Sequence, residues 1–103
     1  MASIRVKALT ELTTGTMARV AVEEEDILLV HLEDGVFAVS DICSHARVSL
    51  SDGSLEGSTI CCPKHGGKFD ARTGCAIAFP AFTNLRKFPV SVRDGEIYVE
   101  VDE

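Results

Sequence analysis

Cys62-Pro63-Lys64-His65-Gly66, set against Cys43-Ser44-His45 earlier in the chain, is the stretch on which the reading of this sequence turns. Each segment offers one thiol and one imidazole. Cys43 and His45 straddle one residue, Cys62 and His65 straddle two, and sixteen residues separate His45 from Cys62. Two sulfurs and two nitrogens suit either Zn²⁺ or an iron–sulfur centre. Familiar zinc fingers group cysteine with cysteine and histidine with histidine. Here each segment supplies one of each. If the two segments face one another, both thiolates fall on one side and both imidazoles on the other, which is the layout a two-iron rhombus needs.

The gap between the pairs holds the turn signals Ser51-Asp52-Gly53 and Glu56-Gly57, then a short strand-like run at residues 58–61. A hairpin there would bring the pairs face to face. Residues 41–81 hold all four cysteines and five of the eight glycines, and read as a loop-built insert. Functional groups are commonly carried on loops held by a rigid scaffold. The flanks are β-rich. Apolar or alternating runs occupy residues 4–9, 17–22, 27–32 and 36–40, then 88–92 and 96–101. Asp94-Gly95 between the last two predicts a hairpin, because glycine accepts the positive φ of a primed turn. No long amphipathic helix is legible. The expectation is an all-β, single domain over residues 1–103, with the insert as its site.

Bulk properties narrow the function. The 103 residues are 46% hydrophobic and 25% charged, a globular profile. The net charge of −6 argues against nucleic-acid binding. No apolar run approaches the roughly 20 residues of a membrane helix. The N-terminus shows no apolar signal segment, so a cytoplasmic location is expected and metal binding outranks disulfides for the cysteines. The acidic run Glu23-Glu24-Glu25-Asp26 reads as a solvated turn. Arg47 and Lys64 flank the histidines and read as solvated charge or as steering groups for an acidic partner. Cys61 should point away from Cys62 as a small buried side chain. Cys75 reads as a packing residue or free thiol, and His31 as a structural or surface residue.

Cys43-Ser44-His45 with Cys62-Pro63-Lys64-His65-Gly66 resembles the Rieske motif, C-x-H followed by C-x-x-H. Phe69-Asp70, Arg72-Thr73-Gly74 and Pro80-Ala81 resemble the loop that covers the cluster in Rieske ferredoxins, and Phe88-Pro89-Val90 matches further on. The resemblance implies an antiparallel β sandwich with a small cluster-binding subdomain at about 41–81. It implies one [2Fe–2S] cluster, with Cys43 and Cys62 on one iron and His45 and His65 on the other. Histidine ligation raises the potential of such clusters into a range of about −150 to +300 mV. High-potential members carry an extra loop disulfide and hydroxyl donors after the second histidine. Lys64, Gly67 and Phe69 stand at those places, which predicts a low-potential centre.

With no catalytic constellation elsewhere, the chain reads as a one-electron carrier rather than an enzyme. The resemblance points to the ferredoxin of a bacterial aromatic ring-hydroxylating dioxygenase system. Its implied partners are a flavin-containing, NAD(P)H-dependent reductase and a terminal Rieske oxygenase, and a monomer is expected. The alternatives are a small Rieske subunit of another redox enzyme such as nitrite reductase, a zinc-binding interaction module, and a redox sensor.

Overall fold

The run Ile27-Leu28-Leu29-Val30 is apolar at every position, and all four side chains are fully buried. Strand side chains alternate between faces, so a strand of this kind must be covered on both sides. A computed structural model of the protein shows that it is. The structure describes residues 2–43, 47–64, 66–79 and 83–101. The run lies in β3 (Glu25–Leu32), flanked by β2 (Thr16–Val22) and β4 (Gly35–Ser40). With β9 (Lys87–Phe88) they form an antiparallel sheet in the order β2-β3-β4-β9. Ile27 and Leu29 enter one core; Leu28 and Val30 enter another.

The first core packs this sheet against an outer one, built from β1 (Ala2–Ala8), β10 (Val90–Arg93) and β11 (Glu96–Val101) in the order β1-β11-β10. Ile97, Val99 and Val101 face Ile27, Leu29, Ala38 and Phe88 there. The β10–β11 turn is the anticipated Asp94-Gly95, with φ of 52° and 76°, the doubly positive conformation a type I′ turn demands.

The second core packs β3 and β4 against the insert. The insert is more regular than its turn-rich sequence suggests. It forms β5 (Ser54–Glu56), β6 (Thr59–Cys61), β7 (Lys68–Asp70) and β8 (Ala76–Ala78), an antiparallel sheet in that order. Each strand has three residues, too few for alternation to register in a sequence. Ile60 and Phe69, cross-strand partners on β6 and β7, are fully buried against Leu28, Val30 and Val39. Residues 71–73 form the turn after β7. There Arg72 reaches back to the β3–β4 turn and grips Asp34 with two hydrogen bonds, Nε to Oδ2 at 2.8 Å and Nη2 to Oδ1 at 2.9 Å. The arginine also lies 5.9 Å from the Phe37 ring centroid. Arg72 thus ties the insert to the scaffold at a distance in sequence of 38 residues.

Candidate metal centre

Two hairpin tips carry the cysteines, and both close in the same way. In the first, Ile42 bridges Ser49 and the Cys43 N–H donates to the Val48 carbonyl at 3.0 Å. In the second, Cys61 pairs with Lys68 and the Cys62 N–H donates to the Gly67 carbonyl at 2.8 Å. Each cysteine therefore closes its hairpin with a hydrogen bond to a carbonyl five residues on. Gly66, at φ 73°, takes the left-handed conformation in the second tip.

The thiols point inward. Cys43 is 3% exposed and Cys62 5%, and both belong to the core beneath the insert. Burial pushes the Cys62 thiol's pKa up. A hydrogen bond from the Lys64 backbone pulls it down, and the hydrogen-bonded Cys43 thiol pushes it up again. Two sulfurs from segments nineteen positions apart thus touch side chain to side chain. No disulfide joins them. Two adjoining, reduced, soft donors at the mouth of a core fit a thiolate-ligated iron or zinc centre. His45 and His65, the other two ligands expected from the sequence, lie outside the described residues, as do Pro80, Ala81 and Phe82. Arg47 and Lys64, beside the tips, are exposed.

Cys61 behaves as alternation requires. It leaves the core that Cys62 joins, and its thiol donates to the Glu56 carboxylate at 3.3 Å. Burial and that carboxylate raise its pKa. Cys75 is exposed. His31 is structural: its Nδ1 lies 2.7 Å from the Leu12 carbonyl oxygen and its Nε2 3.5 Å from the Thr14 hydroxyl.

Two residues that shape the tips escaped the sequence reading. Asp41 is fully buried. Its Oδ1 accepts the Ser51 N–H at 2.9 Å and its Oδ2 the Ser51 hydroxyl at 3.4 Å, while its carbonyl accepts the Leu50 N–H at 2.7 Å. Asp41 thereby locks the base of the first hairpin, two residues before Cys43. Gly53, the second, sits where a Cβ would fall on the Cys61 carbonyl oxygen and press on Pro63. Its missing side chain is what lets the chain pass beneath the second tip. The Ser51-Asp52-Gly53 turn signal located both neighbourhoods, but nothing in it showed which acid turns inward or which backbone lies above the glycine.

Comparison with known proteins supplies the frame for this geometry. Residues 2–89 match the model of the Rieske [2Fe-2S] domain family. The 3-phenylpropionate/cinnamic acid dioxygenase ferredoxin subunit of Photorhabdus laumondii subsp. laumondii is 42% identical, over 100% of this chain and 98% of its own. The ferredoxin of carbazole 1,9a-dioxygenase from Nocardioides aromaticivorans IC177 superposes with a TM-score of 0.91 at 36% identity, covering 96% of this chain and 97% of that one. A complex of reduced oxygenase and oxidized ferredoxin in carbazole 1,9a-dioxygenase contains a chain with a TM-score of 0.89 at 37% identity, covering 94% of this chain and 91% of that one. With hairpin-tip cysteines meeting at the edge of a β sandwich and a family match across most of its length, the chain belongs to the Rieske [2Fe-2S] domain family.

Proposed function

We propose that this protein is the ferredoxin component of an aromatic ring-hydroxylating dioxygenase system, carrying single electrons from a flavin-containing, NAD(P)H-dependent reductase to a terminal Rieske oxygenase. One observation carries the reading. The Cys43 and Cys62 thiols converge at adjoining hairpin tips, in a chain whose whole length matches a dioxygenase ferredoxin subunit. The bound group is one [2Fe–2S] cluster, held by Cys43, His45, Cys62 and His65, and it supplies reversible one-electron chemistry of low potential.

The chain's own residues do the rest. The two N–H to carbonyl closures hold the cysteines at a fixed separation. The core under the insert keeps water from the sulfurs. The Lys64 backbone donor favours the thiolate form of Cys62. Transfer to the oxygenase has a precedent in the solved oxygenase–ferredoxin complex of a relative. Docking should be small and short-lived, since a carrier must leave after each transfer. The choice of aromatic substrate belongs to the oxygenase. No helix among the described residues is long and apolar enough to cross a membrane, and we place the carrier in the cytoplasm as a monomer.

Low-temperature EPR of the dithionite-reduced protein, with iron and sulfide assayed on the same sample, tests this. A rhombic signal with average g clearly below 2 and equal iron and sulfide supports the reading. A colourless protein with stoichiometric zinc overturns it.

A further inference from the structure

Beside the first hairpin tip, an open groove of about 440 Å³ leads down to Cys43. Of the residues that line it, two are buried: Cys43 at 3% exposure and Leu85 at 6%. The same two side chains belong to the core beneath the insert, together with Cys62. Leu85 is thus shared between the wall of the groove and the core that holds both sulfurs.

Residues 84–86 hold that leucine as a strap fastened on two sides. Toward the insert, the Leu85 N–H donates to the Gly74 carbonyl at 2.8 Å, and the Asn84 side-chain oxygen accepts the Ala76 N–H at 2.9 Å. Toward the scaffold, the Arg86 carbonyl accepts the Ser40 N–H at 2.8 Å. The fit against the insert is close. Gly74 has a φ of 77°, and a Cβ there would lie 2.8 Å from the Leu85 carbonyl oxygen. A side chain anchored in this way has little room to swing out of the core. Sulfurs that ligate iron share the negative charge gained on reduction, and hydration favours the more negative state. An apolar wall that withholds water therefore lowers the potential. Space opened at Leu85 would be continuous with the groove, so water would fill it, whereas a sealed apolar cavity stays dry.

We infer that Leu85 is a potential-setting residue, a plug that keeps the Cys43–Cys62 sulfur pair dry on the groove side and thereby holds the centre at low potential. The inference rests on the reading of Cys43 and Cys62 as cluster ligands. It adds a positioned residue that is not itself a ligand.

The test is a redox titration of the cluster-loaded protein, paired with electron spin-echo detection of deuterium after exchange into D₂O. Leu85→Ala should shift the midpoint potential upward and add exchangeable deuterons near the reduced centre. Gly74→Ala displaces the strap without shortening the plug, and should act in the same direction with a smaller shift. Leu32→Ala is the control. Leu32 is 5% exposed in the same core, but it ends β3 far from the Cys43 hairpin and lines a different cavity. Its truncation should lower the melting temperature and leave the potential in place. If Leu85→Ala loads no cluster, Leu85→Val serves, with a smaller upward shift expected. A potential unmoved by truncation at Leu85, or moved equally by Leu32→Ala, overturns the inference. So does an upward shift without new exchangeable deuterons, which would assign the effect to altered ligand geometry rather than to water. A wild-type protein without the rhombic EPR signal would instead sink the cluster reading itself.

Discussion

The two hairpin tips follow one rule from different materials. Both end in a cysteine N–H bonded to a carbonyl five residues on. The second stands on a regular ladder, β6 against β7, and bends at Gly66. The first stands on a single bridge, Ile42 to Ser49, and is propped by a buried carboxylate. Backbone pairing alone suffices where strands flank the tip. Where they do not, a polar side chain must stand in for the missing ladder, and it must be sealed from water to hold its geometry.

Removing a thiol should erase the difference between the tips. Cys43→Ser and Cys62→Ser each leave a single thiolate, so both should abolish cluster loading, read as loss of visible absorption and of stoichiometric iron. A variant that retains a full cluster would remove that cysteine from the ligand set. Next in size is Gly53→Ala. The added methyl overlaps the Cys61 carbonyl, backbone that cannot swing away, and overpacking of this kind costs about 1–3 kcal/mol. Thermal unfolding should report it, together with poorer cluster retention at the second tip. An unaltered melting temperature would show that the tip has slack.

Asp41→Ala probes the first tip. It strands the half-buried Ser51 N–H, which costs about 1 kcal/mol. Asp41→Asn should recover part of this, since an amide oxygen can still accept. Equal losses from the two variants would mean that charge, not hydrogen bonding, props the tip. The smallest effect belongs to the clamp far from both tips. Hydrogen bonds from Arg72 hold the Asp34 carboxyl below its ordinary range. A lowered carboxyl pKa contributes stability that is complete above the ordinary value and lost as pH falls through the lowered one. Arg72→Ala should therefore lower the melting temperature slightly at pH 6, and the difference should vanish under strongly acidic conditions. Because both side chains are exposed, the effect is modest.

Much of this was legible beforehand in particular residues. The candidate donors could be named because only a few residue types ligate metals and the spacing groups them in pairs; of the four, the structure describes Cys43 and Cys62 and places them side by side. Asp94-Gly95 was readable because its turn is local. That Cys61 points away from Cys62 followed from alternation over one step, and both are buried. Of the insert's four strands only β6 was readable, as the strand-like run at 58–61; the other three were not, since three residues carry no period. Asp41 was not distinguishable from the other acids, because its partner Ser51 lies ten residues on. The Arg72–Asp34 clamp spans 38 residues and leaves no local trace.

The sequence by itself set out the candidate donors, the tight Asp94-Gly95 turn and the longer strands of the scaffold. These are properties of single residues and their near neighbours. Only the tertiary structure decided that β3 divides its apolar run between two cores, that Cys43 and Cys62 meet, and that Gly53 has no room for a side chain. Those outcomes depend on surfaces from distant segments coming within a few ångströms. Burial, steric overlap and hydrogen bonding act over that range, and separation along the chain does not encode it.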